Sequence, residues 1–131
     1  MILVEDLDRI AEARRDDAVA LLGAERPDGA IYLCGYAAEV ALKARICRQL
    51  NWAEFPRTSK EFEHYRSFQT HNLAILLRLS GQEARIKATH FVEWNVIATW
   101  NPESRYENVG TATMPSAGDM LDAAQVLMGA I

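Results

Sequence analysis

The stretch GYAAEVALKAR, from Gly35 to Arg45, is apolar on almost every side when wound as a helix, yet Glu39 and Lys43 stand in its middle. They are four residues apart, with the acid first, the favourable order for a helical ion pair. Tyr32, Tyr36, Glu39 and Lys43 step by 4, 3 and 4 residues, so they share one stripe. Two readings follow. The pair is exposed and contributes about 0.3 kcal/mol. Or the stripe runs along a cleft or a dimer interface, where half-buried charges are held in a set orientation. Other chemistry-bearing patterns are thin. His90 and Glu93 are three apart, but the di-iron pattern is Glu-x-x-His on paired helices, and this order is reversed and single. There is no zinc-type Cys/His cluster, no Gly-rich phosphate loop and no Ser-His-Asp order of a hydrolase. No metal and no cofactor is expected.

Positioning these residues falls to one domain over residues 1–131, in a chain half apolar by composition and long enough to bury a core without metal or disulfide. Cys34 and Cys47 lie 13 residues apart along one expected helix. That separates them by roughly 20 Å, beyond the reach of a disulfide. Both read as buried reduced thiols. No apolar run reaches the ~18 residues of a membrane span. The start, MILVEDLDRI, lacks a basic region followed by a long apolar stretch, so no signal peptide is expected and the location reads as cytoplasmic.

The net charge of −4 argues against broad, non-specific nucleic-acid binding. The charge is uneven, however. Residues 41 to 88 hold nine Lys or Arg against four acids, so that segment is +5 and the remainder −9. A basic middle in an acidic protein marks either an anionic-ligand site or a set of solvated faces.

Helical signals dominate. Residues 4 to 23 place Leu7, Ile10, Ala11, Arg14, Ala18, Leu21 and Leu22 at helical spacing. Arg26-Pro27-Asp28-Gly29 breaks the chain, and a second helix is expected from about Asp28 to Leu50, with Asp28 at its positive end. Gly35 inside it costs about 1 kcal/mol relative to Ala, which points to close approach of another backbone. A short helix is expected over 72 to 79, capped by Thr70 or Asn72, then a long one from Gln82 to Trp100. Residues 101 to 116 read as a polar loop, long for a compact domain. The last helix is expected from Ala117 to Gly129, burying Met120, Leu121, Ala124, Val126 and Leu127. No strand is expected. The class is all-α: an antiparallel up-and-down bundle of four main helices plus a short extra helix.

Three segments in order carry a family resemblance. Gly35, Tyr36, Ala37, Glu39, Leu42, Lys43 and Ala44 form a Gly-Tyr-Ala-x-Glu-x-x-Leu-Lys-Ala pattern; Thr70, His71 and Leu73 begin the next helix; Arg105 and Tyr106 precede the last. Together they resemble HEPN-domain proteins, small all-helical prokaryotic domains often encoded beside minimal nucleotidyltransferases. The resemblance covers about residues 4 to 131. It implies a HEPN-like up-and-down bundle, commonly a homodimer, with Tyr36, Glu39 and Lys43 in a polar cleft near the dimer axis.

Function follows as an expectation. The first reading is a nucleotide- or polynucleotide-binding and interaction module, acting with a partner nucleotidyltransferase in a toxin–antitoxin or stress-defence setting. Arg105 and Tyr106 would bind phosphate and stack on a base; alternatively Tyr106 covers the bundle end and Arg105 pairs with an acid. The second reading is a metal-independent ribonuclease. Its family signature, Arg then four to six residues then His, is met by Arg66 and His71, and also by Arg57 and His64. Arg would stabilise phosphate charge and His transfer a proton. That signature usually lies near the last main helix, where this chain has Arg105 but no later histidine than His90. Otherwise His71 is a helix-start residue bonded to nearby backbone. A third reading is a purely structural dimerisation module. A membrane partner is not expected.

Overall fold

The computed structural model describes residues 1–131. Its helices are α1 (Val4–Gly23), α2 (Pro27–Leu50), α3 (Leu73–Leu79), α4 (Glu83–Thr89), α5 (Phe91–Ile97) and α6 (Met114–Ala130). No helix is long and apolar enough to cross a membrane. The all-α class holds, with one small exception. Ile2–Leu3 (β1) pairs antiparallel with Glu54–Phe55 (β2), Ile2 opposite Phe55, which draws the segment after α2 back onto the chain start.

α1 and α2 form the framework. The turn between them follows a Schellman pattern, with Arg26 N–H donating to Leu21 O at 2.8 Å and Glu25 N–H to Leu22 O at 3.0 Å. Glu25 takes the left-handed conformation this requires, at φ 57°. So short a connection folds α2 back antiparallel on α1. α2 ends the same way: Trp52 N–H donates to Cys47 O, and Asn51 sits at φ 57°, a conformation Asn tolerates better than most residues. α2 is the central helix, packed by α1, α3 and α6, as expected for a helix apolar on most sides.

Further expectations need correction. The helix over 82 to 100 is broken: His90, at φ −134° and ψ 42°, separates α4 from α5. The hydroxyl of Thr89 donates back to Arg85 O at 2.7 Å, a contact that bends a helix. α6 starts three residues earlier than Ala117, because Thr113 and Ser116 form a reciprocal cap and Pro115 fits the first turn. Val126, expected inside, is exposed, one position off the buried face of Ala123, Ala124 and Leu127.

Gly35 receives a side chain, not a backbone. A Cβ there would lie 2.1 Å from ring atoms of Trp100, so only glycine lets the indole lie against α2. Trp94 and Trp100 are both buried in the core. The loop after Trp100 contains a 3₁₀ turn, Pro102–Tyr106, and is held at its far end by Asp28. The Asp28 carboxylate accepts from Gly110 N–H at 2.7 Å and Ala112 N–H at 2.8 Å. These two donors hold its pKa below the ordinary carboxylate value.

Candidate functional site

Glu39 is 2% exposed. A carboxylate so placed costs several kcal/mol unless it is paired and hydrogen-bonded. Both oxygens are paired. Lys43 Nζ donates to Oε2 at 2.9 Å, and His71 Nδ1 lies 2.9 Å from Oε1. The pair is therefore not an exposed surface bridge. The helical stripe supplies Glu39 and Lys43, while His71 arrives from the start of α3, 32 residues on. Asn72 caps that helix, its side-chain oxygen accepting from Ile75 N–H at 3.1 Å, which leaves His71 just ahead of the first turn. The partner of His71 is thus a carboxylate of another helix rather than nearby backbone.

Lys43 and His71 open onto a cleft of about 550 Å³ between α1, α2 and the segment from Phe55 to His71, with Glu39 buried behind them. Cations stand on three sides: Arg14 from α1, Lys43 from α2 and Arg57 from the connecting segment. Tyr32 and Tyr36 add two phenols, and Leu33, Val40, Phe55 and Phe62 supply apolar wall. No carboxylate lines it. Lys43 Nζ lies 5.6 Å from the centre of the Phe55 ring, a cation–π contact that steadies it. The main chain of Arg57 is anchored by Glu61, whose Oε2 accepts from Arg57 N–H at 2.7 Å and Thr58 N–H at 3.2 Å. The N-terminal ammonium of Met1 holds the other Glu61 oxygen at 2.8 Å. That ammonium, with the backbone donors, brings the Glu61 pKa down to about 2.

The phenols are linked. Tyr32 and Tyr36 meet edge to face with centroids 5.0 Å apart. A hydrogen bond to Tyr32, then burial, pushes the Tyr36 hydroxyl up to about 12. Burial likewise lifts Cys34 to about 12 and Cys47 to about 11. These free thiols stay protonated at neutral pH and are poor nucleophiles.

The other expected residues spread out. Arg66 is exposed, off the cleft wall, and donates to Gln69 Oε1 at 2.9 Å. Arg105 and Tyr106 sit at the opposite end of the tyrosine stripe, with the guanidinium 4.8 Å from the Tyr106 ring centre. Contacts with the phenol oxygens of Tyr106 and Tyr32 raise the Arg105 pKa. Arg105 lines a separate hollow of about 430 Å³ with Asp28 and Tyr32, so Tyr32 borders both spaces. Tyr106 is exposed and covers no bundle end, and Arg105 pairs with no acid.

The +5 of the middle segment is partly dispersed. Arg48 pairs with Asp8, while Arg78 and Lys87 share Glu83. Only Lys43 and Arg57 of that segment reach the cleft, and Arg14, from the acidic remainder, joins them. Arg14 carried a signal, as a charged residue at an inward helical position. Phe55 and Phe62 carried none. No group of three or more His, Cys, Asp or Glu side chains comes together to hold a metal ion. No protein-family model, curated protein or solved structure matches the chain.

Proposed function

We propose that the chain is a HEPN-like module that binds a nucleotide or a stretch of RNA in the cleft of Tyr36, Lys43 and His71. It works as a homodimer beside a nucleotidyltransferase partner, in a toxin–antitoxin or stress-defence setting. The carrying observation is the cleft's composition: three cations and a histidine over an aromatic and aliphatic wall, with no carboxylate. Phosphate charge is met by Arg and Lys, and a base finds ring faces and edges. The family resemblance of the Gly35–Ala44 stretch supports the same reading, since it places Tyr36, Glu39 and Lys43 at a polar cleft. Partner and setting rest on that resemblance alone.

The test is a fluorescence-anisotropy titration of a labelled oligoribonucleotide against wild type, Arg57→Ala and Arg14→Ala. Both arginines are exposed, so folding is preserved. Each variant should weaken binding severalfold. Binding that is absent, or equal in all three proteins, overturns the reading.

A further inference from the structure

We infer that a groove on the Trp100 side of α2 is a docking surface for a partner protein, and that its occupant is a segment carrying a large apolar side chain beside lysine or arginine. The groove shares no lining residue with the cleft, so what settles there does not depend on what the cleft binds.

Three observations carry it. The first is shape. The groove, about 640 Å³, lies between α5, the start of α6 and the loop from Asn101 to Glu107, with the buried side chains of Trp100 and Met120 in its lining. That is room for a large side chain together with its neighbours. The second is apolar surface left uncovered. Phe91 and Val92, the first two residues of α5, line the groove and are 59% and 71% exposed. Adjacent large apolar side chains beside a polar rim are the composition of a protein contact. The third is charge. Glu107 and Asp119 line the groove, both exposed, and neither carboxylate has an ion-pair partner in the chain. No Lys, Arg or His lines it. Arg105, two residues before Glu107, is stacked on Tyr106 and lines the neighbouring hollow.

Charge selects the occupant. A purely apolar segment would displace water from Glu107 and Asp119 without compensating them, which is costly for both carboxylates. A polyanion would be repelled. A segment that sets Leu, Phe or Met over Phe91 and Val92, and Lys or Arg against the two acids, meets both demands. A second copy of the chain is a poorer match, because its own net charge is −4. The floor is also short of hydrogen bonds, with Trp100 Nε1 and Ser104 Oγ buried there without a partner. The indole N–H therefore reports on whatever settles over the ring.

The experiment selects displayed random short peptides on immobilised wild type. The enriched sequences should set Lys or Arg next to a large apolar residue. One of them, synthesised with a fluorescent label, is then titrated against wild type, Asp119→Lys, Glu107→Lys and Phe91→Ala. All three sites are exposed, so the variants keep the fold. Each should weaken binding about tenfold, and wild-type binding should weaken as salt rises. In NMR of wild type, the peptide should move the amides of Phe91 and Val92 and the Trp100 indole N–H, and leave Lys43 and His71 in place. No enriched binder, or binders without a basic residue, overturns the inference. So does a peptide held equally by wild type and the three variants, or one whose shifts fall at Lys43 and His71. Sedimentation of wild type beside Val92→Glu tests the other occupant: a wild-type dimer that dissociates in the variant assigns the groove to a second copy and overturns the partner segment.

Discussion

Two hollows of similar size flank α2: the cleft walled by Tyr36, at about 550 Å³, and a groove walled by Trp100, at about 640 Å³. Their chemistry is opposite. The cleft carries Arg14, Lys43 and Arg57 and no acid, whereas the groove carries Glu107 and Asp119 and no cation. A thin aromatic partition divides them. Tyr36 and Trp100 meet edge to face at 5.2 Å, and the indole lies against Gly35. Volume therefore does not decide which hollow can take a polyanion. Charge does, and the charge comes from residues far apart in the chain. The groove also exposes Phe91 and Val92, at 59% and 71%, and contains the buried, unpartnered Nε1 of Trp100.

The largest effect should follow from breaking the partition. Gly35→Ala forces a methyl group into the Trp100 ring, with atoms 2.1 Å away. Overpacking of this kind is expected to cost about 3 kcal/mol or more and to lower Tm by about 10 °C, read by calorimetry. A Tm within 2 °C of wild type would mean that Trp100 is free to move and the two hollows are not rigidly separated.

Next comes the buried carboxylate. Lys43→Met leaves Glu39 with His71 alone. Stability should fall by about 2 kcal/mol in urea unfolding at pH 8, because a buried charge loses one of its two partners. A neutral result would show that Glu39 finds water in place of Lys43.

The charge contrast itself is tested by ligand. Arg57→Glu should weaken oligoribonucleotide binding by about tenfold, and Arg57→Ala should reduce the slope of log affinity against log salt by about 0.7, the share of one phosphate contact on a single strand. Asp119→Lys, in the groove, should leave binding within twofold. Equal responses from the two sites would erase the distinction between the hollows.

The smallest effect concerns acid. Glu61 anchors the segment carrying Arg57, and its pKa is lowered from 4.5 to about 2. A depressed carboxylate contributes its stability above pH 4.5 and loses it as pH falls toward 2. Wild type should thus lose stability across that window, and Glu61→Gln should flatten part of the loss in an acid titration followed by circular dichroism. Asp28 behaves alike for the loop near the groove, so Asp28→Asn should speed amide exchange at Gly110 and Ala112.

Much of the helical layout was legible in the residues. Pro27 and Asp28 mark the start of α2, and Asn72 marks the start of α3 with a capping oxygen that needs no tertiary help. The break at His90 was not legible. Apolar spacing continues through it, and the bend comes from a Thr89 hydroxyl that competes for a helical carbonyl. The stripe of Tyr32, Tyr36 and Lys43 was readable as one face, since it depends only on helical period. Whether this face is exposed or lines a cleft stayed open between two readings, because burial depends on what packs opposite.

By itself the sequence determined the class, the central apolar helix, the reduced thiols and the Glu39–Lys43 pairing, all set by local spacing and side-chain type. Only the tertiary structure decided that His71 meets Glu39, that Arg14 and Arg57 face the same space, and that Gly35 makes room for an indole. Those contacts join residues 32 to 65 positions apart, and no local periodicity encodes them. They exist because a three-residue turn folds α2 onto α1 and the Phe55–His71 segment is drawn back across them by β1 and β2.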